Sequence, residues 1–99
     1  MNSGTSYTID GILQSLGYVD PLMAARQQAR MILLGRLSRY QAAVQALQSK
    51  WGLSLAQMRE KYEATGSEDF DADDDYAQWQ WYTDAIAAIE SQLNTLKTA

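Results

Sequence analysis

The residues with the most obvious chemistry crowd into seven positions, Asp69-Phe70-Asp71-Ala72-Asp73-Asp74-Asp75. Carboxylates at alternate positions open like a calcium loop, which places oxygen ligands at its positions 1, 3 and 5. The pattern then breaks. The sixth position needs Gly for a sharp turn and holds Asp74, and the twelfth needs a bidentate Glu and holds Gln80. Two readings of the run remain. It is a solvated linker that ends in a helix N-cap, or it is a surface that docks a basic partner. Phe70, a large apolar residue among acids, either packs back on its own core or anchors that partner.

Other chemistries are excluded by composition. The 99 residues include no Cys and no His. Disulfides, thiolate nucleophiles, Cys/His zinc sites and His general bases are therefore impossible within this chain. Lack of Cys says nothing about redox compartment. Paired carboxylates can do acid–base work, but no His, Lys or metal motif converges on these, and the six glycines are too scattered for a phosphate loop. The expectation is a protein that is not an enzyme and uses no cofactor or metal.

Aromatic and basic residues give a second set of candidates. Tyr76, Trp79 and Tyr82 continue into an aliphatic seam and read as core. Trp81 sits off that seam, about 200° round the helix from Trp79. An off-seam Trp is a candidate interface residue, because Trp is enriched among binding hot spots. Arg26 and Arg30 project near the side that Leu33 and Leu37 continue. There they would meet carboxylates, lie at an oligomer rim, or extend their stems to water.

The elements that must position these residues read as helices. The fold expected is all-α: two long helices, about 21–50 and 73–97, joined by a short one at about 55–64, as a bundle or hairpin that dimerises. Asp20-Pro21 marks the first start, because Asp caps and Pro suits the first turn. The seam Leu33, Leu37, Tyr40, Val44, Leu47, Trp51 follows in steps of three and four, and Gly52 stops it. Ser54 caps the short helix, whose apolar face is Leu55, Met58 and Tyr62. Asp73 or Asp74 caps the last, with the seam Tyr76, Trp79, Tyr82, Ile86, Ile89, Leu93, Leu96. Residues 1–19 read as a flexible arm with one or two helical turns ending at Gly17, and 20–99 as a single helical domain. The first long helix would outrun the last by about two turns. Leu22, Met23, Met31, Ile32 and Leu34 widen its apolar surface, so dimerisation through it is expected.

Charge narrows the partners. Eight Lys and Arg against twelve Asp and Glu give a net charge of −4, which disfavours direct nucleic-acid binding. Eight of the acids lie between 60 and 75 and four of the bases between 26 and 39, so the chain is polarised along its length. No apolar run approaches a membrane span and no secretory signal is visible, so a cytoplasmic protein is expected.

From Tyr40 to about Lys97 the order of pieces is distinctive: Lys50-Trp51-Gly52, then Leu53-Ser54-Leu55, then Asp69-Phe70-Asp71, then Asp75-Tyr76-Ala77-Gln78-Trp79 and a leucine-rich helix. This stretch resembles small helical antitoxin-like proteins of bacteria and archaea, encoded beside TumE-type toxins. Trp51 stands where that pattern has Tyr, Ala72 and Gln78 interrupt its acidic part, and residues 1–30 have no counterpart in it. The resemblance implies a protein that binds and neutralises a toxin acting on RNA, with Phe70, Asp75, Tyr76 and Trp79 at the motif positions. The alternative is a homo-oligomeric structural or scaffolding protein. The candidate partner-binding residues are thus Phe70, Asp71, Asp73, Asp74, Asp75 and Trp81. The candidate oligomer interface is Leu22, Met23, Arg26, Arg30, Leu33, Leu34 and Leu37.

Overall fold

Capping chemistry sets where each helix starts and stops. In a computed structural model, residues 7–65 and 70–98 are described, with side chains up to Ala64 and from Asp71 to Lys97. They form α1 (Ile9–Ser15), α2 (Pro21–Trp51), α3 (Leu55–Thr65) and α4 (Phe70–Thr98), with no strand among the described residues. The protein is all-α, as its periodicity implies.

Thr8 Oγ1 accepts from the Gly11 N–H at 2.9 Å and opens α1. Gly17, at φ 93°, closes it. The Gly17 N–H donates to the Gln14 carbonyl at 3.0 Å and the Tyr18 N–H to the Leu13 carbonyl at 2.9 Å. That double bond pattern is a Schellman cap, and the left-handed backbone it needs is why glycine stands there. The Asp20 carboxylate accepts from the Met23 N–H at 2.7 Å, with Pro21 in the first turn. Gly52, at φ 63°, ends α2. Ser54 and Gln57 cap α3 reciprocally: Ser54 Oγ accepts from the Gln57 N–H at 3.1 Å and Gln57 Oε1 from the Ser54 N–H at 2.9 Å.

The chain divides into two compact units, up to Ile32 and from Leu33. In the second, the later part of α2 packs antiparallel on α4. Tyr40 meets Trp81 and Tyr82 with ring centroids at 5.4 and 5.6 Å, and Trp51 reaches Asp75 at the start of α4. The core is Leu47, Met58, Ala72 and Trp79, enclosed by Val44, Trp51, Leu53, Leu55, Tyr76 and Tyr82. Met58 and Trp79 are fully buried. Short α3 thus plugs the end of the helix pair. Its Tyr62 stacks on Tyr76 at 5.0 Å, and the Arg59 Nε–H donates to the Tyr76 hydroxyl at 3.0 Å.

Among its described residues, the first unit has no comparable interior. No residue of α1 is buried, and the only buried residue of α2 is Leu47.

Two expectations need correction. α4 starts at Phe70, not at a cap on Asp73 or Asp74, so those residues lie inside the helix. The extra turn carries Ala72 into the core beside Met58 and Trp79, and that burial favours the longer helix. Carboxylates at Asp71 and Asp73 suit the positive end of the helix dipole, so the extension is not opposed. The two-turn mismatch also disappears, because α2 has 31 residues and α4 has 29. Length therefore gives no reason for dimerisation; any such reason has to come from exposed surface.

Candidate interaction surfaces

The acidic run divides by helix face, because consecutive residues turn by about 100°. Asp75 points to the end of α2. The Lys50 ammonium lies 2.6 Å from its Oδ2, and the Trp51 indole N–H donates to the same oxygen at 2.9 Å. Lys61 covers the Trp51 ring at 4.9 Å and Lys50 at 5.5 Å. Hydrogen bonding from Lys50 holds the Asp75 carboxyl below its ordinary value, helped by the Trp51 N–H and opposed by partial burial. Asp75 is therefore engaged within its own unit, tying the start of α4 to the end of α2 and to α3.

Asp71 and Asp74 face water. With Gln78 and Trp81 they recur at i, i+3, i+7 and i+10, inside an arc of about 80° on α4. All four are exposed, Trp81 at 56%. The Trp81 ring is nevertheless braced, edge-on to Tyr40 at 5.4 Å and to Tyr82 at 5.3 Å. A large aromatic held in place yet half in water, on the same helix face as two carboxylates, is suited to contact with another macromolecule. Asp73 is half-buried on a different side of the helix. The side chain of Phe70 lies outside the described residues, as do Glu68 and Asp69. Gln78 was not among the expected site residues, although the same spacing rule that placed the seam would have found it.

The expected oligomer residues also separate. Leu33 and Leu37 are half-buried in the α2 seam of the second unit, and Leu34 beside them is 41% exposed. In the first unit Leu22 is 67% exposed, Met23 and Arg26 are half-buried, and Arg30 is exposed. Neither arginine pairs with a carboxylate among the described residues.

Residues 7–32 hold eight of the ten large apolar residues that are exposed in the described chain. Ile9, Ile12 and Leu16 lie along one edge of α1, at the i, i+3, i+7 spacing of a helical stripe, and that edge faces water. The opposite side of α1 carries Asp10, Gln14 and Ser15. Asp10 and Gln14, both exposed, and half-buried Leu13 line a shallow hollow with Tyr18, Val19 and Pro21. No described helix is long and apolar enough to cross a membrane. No family model, curated protein or solved structure matches the chain.

Proposed function

We propose that this protein is a non-catalytic, cytoplasmic protein-binding module that docks a basic partner on α4. The observation that carries this reading is the exposed stripe Asp71, Asp74, Gln78 and Trp81, two carboxylates and a braced, half-exposed Trp on one helix face. Carboxylates steer a cationic partner into register, and Trp supplies the desolvated anchor. The resemblance of residues 40–97 to antitoxin-like proteins supplies the class of partner, a toxin encoded beside this chain and acting on RNA. An RNA-binding surface is rich in Lys and Arg, which is what an acidic stripe complements. With a net charge of −4, the chain itself is a poor ligand for nucleic acid.

The test is stopped-flow association with the purified product of the adjacent gene. Asp71→Asn with Asp74→Asn should slow association about tenfold at low salt and flatten its salt dependence, because steering is electrostatic. Trp81→Ala should speed dissociation. A folded triple variant that binds as wild type at every salt concentration would remove the stripe from the reading. A second reading, a homo-oligomeric structural protein, is favoured by the exposed apolar residues between Tyr7 and Ile32. Ordered self-assembly of the pure chain, with no binding to the neighbouring gene product, would select it.

A further inference from the structure

We infer that the outward edge of α1, the stripe Ile9, Ile12 and Leu16, is the contact surface for a second copy of this chain. The inference concerns a different surface from the α4 stripe and does not depend on the toxin reading.

An amphipathic helix normally turns its apolar edge inward. Here α1 does the reverse, with Ile9 at 75%, Ile12 at 44% and Leu16 at 66% exposure. Its position does not come from a core, since none of its residues is buried. It comes from the Thr8 cap and the double hydrogen bond across Gly17. The stripe is therefore an unbroken apolar edge in water, with none of its three side chains less than 44% exposed.

Charge selects the occupant. Residues 1–32 contain Asp10, Asp20, Arg26 and Arg30, a net charge of zero, so the whole −4 sits on residues 33–99. Two copies approaching through the second unit repel, whereas two approaching through the first do not. A basic partner is drawn to the acidic face of α4 instead. A lipid surface finds no Lys or Arg before Arg26 to hold its headgroups.

The stripe also complements itself. A twofold interface pairs residue i with j and j with i. Two copies laid antiparallel along this edge pair Ile9 with Leu16 and bring the two Ile12 side chains together near the twofold axis, while Asp10, on the other side of α1, stays out of the contact. No like charges meet.

Sedimentation equilibrium of the full chain tests this directly. At roughly 100 µM, well above the dissociation constant of a specific dimer, the mass should be twice 11.1 kDa. Leu16→Asp should weaken dimerisation by about 30-fold or more and leave the circular dichroism spectrum unchanged. The native chain has no thiol, so Ile12→Cys introduces a single one. It should form a disulfide-linked dimer on mild oxidation, and Lys97→Cys should not. Trp81→Ala, which tests the α4 stripe, should leave the mass unchanged. A wild-type monomer at that concentration overturns the inference. So does a Leu16→Asp chain that dimerises normally, or a chain that stays monomeric while floating with anionic vesicles.

Discussion

The two units spend their apolar residues in opposite ways. From Leu33 on, seams on α2, α3 and α4 converge, and Met58 and Trp79 leave the solvent completely. Up to Ile32 the residues are no less apolar, yet no described side chain there is buried. The difference is in partners, not composition. The second unit has three helical faces that close on one another. The first has a seven-residue α1 and the early turns of α2, too little surface to make a core. Where the chain cannot bury an apolar face alone, that face is available to another molecule.

Core truncation should separate the units most sharply. Trp79→Ala should destabilise the fold by about 3–5 kcal/mol in urea unfolding, since the indole is fully buried. A loss below about 1 kcal/mol would show that this interior is loosely packed. Backbone geometry comes next. Gly52→Ala places a Cβ at φ 63° and should cost about 1–2 kcal/mol. Open space around that Cβ leaves strain as the only cause, so an unchanged melting curve would mean the turn has relaxed.

Asp75→Asn is expected to have a smaller effect, about 0.2–1 kcal/mol, because the Lys50 partner is mostly solvated and the amide still accepts from Trp51. Its pH dependence is more telling. The folded carboxyl titrates below its ordinary value. Its contribution is therefore complete above the unfolded value and disappears as pH falls through the folded one. Wild type and Asp75→Asn should differ at pH 7 and converge in strong acid. A gap that persists in acid would assign the effect to packing instead of charge. The smallest effect belongs to the first unit. Leu22→Ala should change stability by less than about 0.5 kcal/mol in dilute solution, because Leu22 is 67% exposed.

Most of the second unit was legible in the sequence. The seam steps of three and four name the side chains that the fold turns inward, and Gly52 and Ser54 mark helix ends through cap chemistry, as Asp20-Pro21 does in the first unit. The start of α4 was not legible. The acidic run up to Asp73 read as a linker ending in a cap because local rules do not register that Ala72, between Asp71 and Asp73, has a site in the core. Spacing likewise gave α1 an apolar edge but not the direction of that edge, which depends on what lies beside it. The division of the acidic run was hidden for a related reason. Asp75 differs from Asp74 only by one helical step, and that step turns it toward Lys50 and Trp51. The Trp51 cluster with Lys61 depends on α3 folding back, which no local pattern specifies.

The contrast between the units is tested most directly by native-state hydrogen exchange at two protein concentrations. Amides around Met58 and Trp79 should be protected to the same high degree at both, because their burial is internal to one chain. Amides of α1, from Ile12 to Leu16, should exchange nearly freely in dilute protein and gain protection as concentration rises. Protection of α1 equal to that of α4 in dilute protein would show that the first unit has an interior of its own, and would contradict the distinction drawn between the two.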